Sequence, residues 1–169
     1  GALVNVAAPL CGKASVNLNY TVGKSGLEAA VQIAGLRTIV TSRLFVEKAK
    51  LELPEGPSII WLEDVARTIG TGAKLFACLL ALCTPVRLIE LACGQDTPLT
   101  MDDLATIIFS SGSTGEPKGV MLSHFNIDAN AQGANQTLHL YRNERVLGIL
   151  PFFHSFGYLV FWLAMYKNV

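Results

Sequence analysis

Between Ile107 and Gly119 the chain reads Ile-Ile-Phe-Ser-Ser-Gly-Ser-Thr-Gly-Glu-Pro-Lys-Gly, an apolar run that opens into hydroxyls and glycines and closes on one lysine. Those residue types at that spacing suit the handling of phosphate. Ser110, Ser111, Ser113 and Thr114 supply hydroxyls, Gly112 and Gly115 let the backbone approach an anion, and Lys118 supplies a point charge. A Walker-type loop would need glycine directly before the lysine and Ser or Thr directly after it. Pro117 and Gly119 hold those places, so the chain offers neither that backbone N–H nor the usual magnesium-binding hydroxyl. The plainer reading of the same residues is a Ser/Gly turn joining two strands, Leu104–Phe109 and Gly119–Leu122.

A second candidate lies at Leu150-Pro-Phe-Phe-His-Ser-Phe-Gly157, where His154 stands among Phe152, Phe153 and Phe156. A histidine in such company is either a satisfied core residue or a group that positions a ligand.

Together these stretches resemble the adenylate-forming superfamily of acyl-CoA synthetases, luciferases and peptide-synthetase adenylation domains. Its loop reads roughly Ser/Thr-Ser/Gly-Gly-Ser/Thr-Thr-Gly-x-Pro-Lys-Gly, and its later Pro-x-x-His-x-x-Gly stretch corresponds to Pro151–Gly157. The resemblance implies that Ser110, Ser111, Gly112, Ser113, Thr114, Gly115 and Lys118 wrap the β- and γ-phosphates of ATP, with Mg²⁺, while a carboxylate is adenylated. It implies a positioning or gating role for His154 beside the acyl and pantetheine pocket. Shorter stretches, Asn19-Tyr20-Thr21, Gly26-Leu27, Thr38–Arg43, Lys48–Leu51 and Leu62-Glu63-Asp64, resemble the synthetase half of a bacterial bifunctional acyltransferase and acyl-carrier-protein synthetase. That likeness implies a fatty acid as substrate, acyl carrier protein or CoA as the accepting thiol, and peripheral attachment to a membrane. The acyltransferase's His-x4-Asp motif is not matched: His124 is followed by Asp128, one place early, and His139 by Glu144, the wrong residue. The superfamily's later motifs, among them a Thr-Gly-Asp segment and a C-terminal lysine, have no counterpart before Val169. The expectation is a partial adenylation domain over residues 1–169 that is inactive by itself; a non-catalytic nucleotide-binding remnant, or an enzyme for a non-fatty acid, is the alternative.

Composition narrows the classes. Hydrophobic residues are 51% and charged residues 15% of the chain, against an average of about one quarter charged, so surfaces that another part of the protein or a membrane covers are expected. Thirteen basic and thirteen acidic side chains cancel, which excludes the basic footprint of nucleic-acid binding. Cys11, Cys78, Cys83 and Cys93 form no Cys-x-x-Cys pair, so no metal site is expected, and they read as small buried residues in a reducing, cytoplasmic setting, extending to the inner face of the cytoplasmic membrane. The apolar run Leu75–Cys83 is far shorter than the roughly 20 residues of a spanning helix. It reads as a core helix in preference to an interfacial one.

The elements expected to position the candidates alternate between helix and strand, as in a parallel α/β layer. Leu27–Ala34 reads as a helix ended by Gly35, Arg37–Thr41 as a strand, and Ser42 as the cap of a short helix to about Lys50. Strand Ser58–Leu62 precedes a helix Glu63–Ile69, and residues 70–98 are helical in part. Strand Leu104–Phe109 delivers the phosphate loop at its carboxyl end, Ser123 caps a helix from His124 to about Leu138, and a strand Arg145–Leu150 feeds the His154 turn.

Overall fold

The computed structural model describes residues 1–111, 117–138, 141 and 145–167. The chain forms two compact units, one of residues 1–9, 13–18 and 99–169, the other of residues 10–12 and 19–98.

The first unit carries both candidate motifs. Its sheet has the order β1-β4-β5, with β1 at Ser15–Val16, β4 at Leu104–Ser111 and β5 at Pro117–Ser123. Strand β1 runs parallel to β4, and β5 runs antiparallel to it. The sequence pattern suggested parallel strands throughout. Only residues 112–116 separate β4 from β5, and a parallel crossover needs roughly a dozen or more residues, so the chain must turn straight back. Pro117 sits at the first position of β5, where its missing N–H does least damage to the ladder. Ala105, Thr106 and Ile108 are buried. The Thr106 hydroxyl, fully enclosed, donates to the Ser15 carbonyl at 2.7 Å and ties β4 to β1.

Helix α1, Ala2–Leu10, is anchored by a reciprocal amide pair: Asn5 and Asn17 each donate Nδ2–H to the other's Oδ1 at 3.0 Å. Helix α7, His124–Thr137, starts where expected. The Ser123 hydroxyl accepts from the Asn126 N–H, and the Asn126 side chain accepts from the Ser123 N–H, closing a capping box. Helix α8, Ser155–Lys167, packs on α7, and Ala131, Phe153, Tyr158 and Leu163 are buried. The expected strand at 145–150 is absent among the described residues. The Ile149 N–H donates to the Leu147 carbonyl at 3.0 Å, a local turn in place of a ladder, and Leu147 and Ile149 are 77% and 73% exposed. An apolar run specifies burial, but a strand also needs a neighbour with unpaired backbone groups.

The second unit follows the sequence closely. Helix α2, Gly23–Ala34, ends on Gly35 in the left-handed region (φ 58°), which a residue without Cβ adopts freely. Strands β2, Thr38–Thr41, and β3, Ser58–Trp61, pair in parallel from Thr38↔Ser58 to Thr41↔Trp61. Each strand leads into a helix, α3 at Arg43–Lys48 and α4 at Leu62–Thr68, and the Ser42 hydroxyl caps α3. Leu27, Ala30, Val31 and Ile39 form this unit's small core. Helices α5, Thr71–Cys83, and α6, Val86–Ala92, complete it and bury no residue at all. That overturns the reading of Leu75–Cys83 as a core helix and of the cysteines as buried: Cys78, Cys83 and Cys93 are exposed and Cys11 is half-buried. Apolar composition set that expectation, but α5 meets little beyond α6.

Thr106→Val keeps the β-branched shape and removes the hydroxyl that joins β4 to β1. Urea unfolding should show a loss of about 1–3 kcal/mol, and an unchanged midpoint would mean that the bond contributes nothing net.

Candidate nucleotide site

Register decides what the signature residues can do. In the β4–β5 ladder Ser110 stands opposite Lys118 and Ser111 opposite Pro117. Directly opposed residues of an antiparallel pair project to the same face, with Cβ atoms about 5 Å apart. Residues eight places from each other at the motif's ends are thus brought together as a hydroxyl and an ammonium at the mouth of a hairpin. Along β4 the same face carries Thr106 and Ile108, both buried, so Ser110 continues a packed row to the point where it emerges into solvent. Ser110 and Lys118 are exposed, and neither side chain has a hydrogen-bond or ion-pair partner among the described residues. A cation and a hydroxyl with unused capacity, fixed on paired strands, fit phosphate oxygens. Gly112, Ser113, Thr114 and Gly115 lie outside the described residues, and Ser111 ends β4.

Gly119 has a different task. A Cβ there would come within 3.0 Å of Ile107 Cγ2 and 3.3 Å of Phe109 Cε1. The glycine makes room for two side chains on the opposite face of β4, and so helps hold Lys118 in register.

At the second motif a turn and a helix start are locked together. The His154 N–H donates to the Pro151 carbonyl at 3.1 Å, and the Tyr158 N–H donates to the His154 carbonyl at 3.0 Å. A Cβ on Gly157 would meet the Pro151 carbonyl oxygen at 2.2 Å and its carbon at 2.9 Å. Only glycine lets the first turn of α8 approach that carbonyl. Phe153 is buried, whereas His154 is exposed and its ring lies 4.4 Å from the Phe153 ring at 52°. Phe153, not His154, is the core residue of the motif. The expected aromatic lining also divides: Phe152 packs on Phe161 at 5.2 Å, and Phe156 is 59% exposed. No hydrogen bond among the described residues joins His154 to Lys118.

Some of the short stretches of the first third carry structural fasteners. Asn19 Oδ1 accepts from the Thr21 N–H and hydroxyl at 2.9 and 2.7 Å, closing an Asx turn. Arg43 donates twice to Asp64, at 2.8 and 2.6 Å, and lies 4.8 Å over the Trp61 ring. This bidentate pair links the starts of α3 and α4 at the carboxyl ends of β2 and β3; through those two bonds the guanidinium holds the Asp64 carboxyl below its ordinary range. Sequence reasoning marked Arg43 and Asp64 as part of a resemblance but did not foresee the pair, whose only signal was one opposite charge after each of two strands. Asp128, considered for an acyltransferase motif, is engaged by Gln132 Nε2 at 2.6 Å; His139 and Glu144 lie outside the described residues.

The family pattern of the AMP-binding enzymes matches residues 2–168, both motifs included. The chain belongs to the AMP-binding enzyme family. It is 31% identical over 163 residues to 4-coumarate-CoA ligase 1 of Narcissus pseudonarcissus, a match covering 90% of this chain and 27% of the relative. It is 46% identical over 57 residues to a long-chain-fatty-acid–CoA ligase of Bacillus subtilis, covering 32% of this chain and 10% of the relative. In three dimensions the chain resembles the crystal structure of VinN, with a TM-score of 0.72 over 99% of this chain and 41% of that one at 18% identity. These likenesses bear out the α/β fold of an adenylate-forming enzyme, and the chain spans about a quarter of the length of the Narcissus pseudonarcissus relative. Its relatives are acid–CoA ligases, so the specific likeness to an acyl-carrier-protein synthetase narrows to the family and the ligase class.

Gly157→Ala and His154→Ala should separate structure from chemistry. The first should lower stability by about 1–3 kcal/mol, because a backbone carbonyl occupies the Cβ position. The second should leave the melting temperature near wild type, since the imidazole is exposed. Equal melting shifts for the two would contradict this division.

Proposed function

We propose that the protein containing this chain activates a fatty acid with ATP and Mg²⁺ and passes the acyl group to a thiol of CoA or of acyl carrier protein. The carboxylate oxygen attacks the α-phosphorus, the bond to the bridging oxygen breaks, and pyrophosphate leaves. The thiol sulfur then attacks the acyl carbonyl, loses its proton to solvent, and releases AMP. The observation that carries this reading is the opposition of Ser110 and Lys118 at the hairpin mouth. Lys118 would balance the charge that gathers on departing pyrophosphate, and Ser110 would donate to one of its oxygens, a task of electrostatic stabilisation without covalent participation. Ser111, Gly112, Ser113, Thr114 and Gly115 would complete the cradle. Mg²⁺ would add positive charge beside the phosphates. Among the described residues no group of three or more His, Cys, Asp or Glu could hold a metal.

His154 would orient the carboxylate or gate the thiol from its exposed position beside Phe153. The fatty-acid reading draws on the Bacillus subtilis relative, and a 4-coumarate-like aromatic acid is the second reading because of the Narcissus pseudonarcissus one. ATP, CoA and acyl carrier protein share the cytoplasm, which is the proposed location. Pyrophosphate exchange by the full-length protein with octanoate, palmitate and 4-coumarate tests the assignment. Exchange with the fatty acids is expected. Exchange with 4-coumarate alone would overturn the substrate, and none with any acid, given a folded protein, would favour a nucleotide-binding remnant.

In the same assay Lys118→Ala should lower kcat by about 100-fold with little change in KM for ATP, since its charge matters most as pyrophosphate separates. An effect confined to KM would assign Lys118 to ground-state binding. His154→Ala should lower the rate by about 10–100-fold with a normal melting temperature.

A further inference from the structure

Two register frames meet inside the β4–β5 hairpin. At its base Leu104 faces Ser123, whereas from Thr106↔Leu122 to Ser111↔Pro117 the partners are offset by one residue, and Ala105 is the extra residue on β4. Ala105 and Thr106 are 3% and 0% exposed, two consecutive buried side chains where a regular strand would alternate, which is the mark of a bulge. A bulge lets one end of a ladder keep its register while the other end shifts. The mouth that sets Ser110 opposite Lys118 is thereby insulated from the base.

The base has a fastener of its own. Asp103 Oδ2 accepts from the Thr100 N–H at 2.6 Å and from its hydroxyl at 3.0 Å, and the Asp103 N–H donates to the Thr100 carbonyl at 3.2 Å. The turn so closed presents two carbonyls to α7: that of Asp103 accepts from the His124 N–H at 3.1 Å, and that of Met101 accepts from the Phe125 N–H at 2.8 Å. With the Ser123 hydroxyl accepting from the Asn126 N–H, the first three N–H groups of α7 are all engaged. The two Thr100 bonds hold the Asp103 carboxyl below its ordinary range, and the charge of His124 adds a smaller pull.

What the fastener aims is α7. This helix follows β5, the strand of Lys118, with no intervening residue, buries Ala131, and packs against both β5 and α8. His154 stands immediately before α8, and its carbonyl accepts the Tyr158 N–H in the first turn of that helix. A displacement at the Asp103 turn therefore passes through α7 to α8, whereas on the way to the hairpin mouth it is absorbed at Ala105. We propose that Asp103 is a positioning residue for His154, which fixes the start of α7 and so sets where α8 presents the imidazole relative to the Ser110–Lys118 pair. The proposal rests on the adenylation reading and adds to it a residue outside both motifs.

The test is pyrophosphate exchange by the full-length protein with palmitate, in single and double variants. Asp103→Ala should lower kcat by about tenfold with KM for ATP unchanged, since the phosphate-binding pair keeps its register. Asp103→Asn, whose amide oxygen can accept both Thr100 bonds, should recover most of the loss. In a His154→Ala background Asp103→Ala should cost less than about twofold more, because its effect runs through the imidazole. Should Asp103→Ala fail to fold, Thr100→Val removes only the hydroxyl bond and should show the same pattern with a loss of about threefold. Independently of activity, hydrogen exchange in Asp103→Ala should quicken at the amides of residues 124–126 and stay unchanged at 118–121. A neutral Asp103→Ala beside a damaging His154→Ala, an equal loss in both backgrounds, a raised KM for ATP, or faster exchange at 118–121 would each overturn the role of Asp103 and leave the adenylation reading standing. Full activity of His154→Ala would remove the role of His154 and that of Asp103 with it, and a folded wild-type protein that exchanges pyrophosphate with no acid would bring down the adenylation reading itself.

Discussion

The antiparallel pairing of β4 with β5 is the constraint on which the candidate site rests. Ser110 and Lys118 are exposed and, among the described residues, neither has a side-chain hydrogen bond, so the ladder and the packed row beneath it decide where they point. Thr106 and Ile108 seat that row, the Thr106 hydroxyl fastens it to β1, and Gly119 accepts Ile107 and Phe109 from the other side. Two polar groups can therefore be left exposed without being loose. A ligand that engages them need not bear the entropy of assembling them, which is the usual benefit of mounting polar groups on rigid elements.

A similar division of labour runs through the second motif. The turn at Pro151–His154 and the first turn of α8 share one carbonyl: it accepts from His154, and Gly157 slides past it. Phe153 points inward to hold the turn, and His154 is left outside by the same backbone. The glycine and the phenylalanine are there for packing, and the histidine is left exposed.

Much of this was legible in the residues. Gly35, Ser42 and Ser123 announced helix ends by their conformational and capping preferences, and α2, α3 and α7 start or stop there. The two strands read on either side of the Ser/Gly stretch are there, as β4 and β5. The antiparallel sense was legible too, in the five-residue connection, and was obscured by the helix–strand alternation elsewhere. Strand Arg145–Leu150 failed because an apolar run records a demand for burial and not the presence of a neighbour to pair with. The reading of α5 failed for the same reason in reverse: composition shows that a surface wants covering, and cannot show whether protein or lipid covers it. The Arg43–Asp64 pair was invisible because it joins residues in the first turns of two separate helices, whose alignment only the register of β2 and β3 supplies.

The bond from Thr106 to Ser15 spans 91 residues of chain, while the hairpin that carries Ser110 and Lys118 closes over 112–116. Loop-closure entropy alone makes the longer connection costlier by roughly 2–3 kcal/mol, and hairpins of this kind form in about 1–10 μs. The order of assembly follows. The Ser110–Lys118 pair is set early by local contacts, and β1 arrives later to clamp a hairpin whose register already exists, so the part of the molecule with the strictest geometric demand is the part with the shortest search.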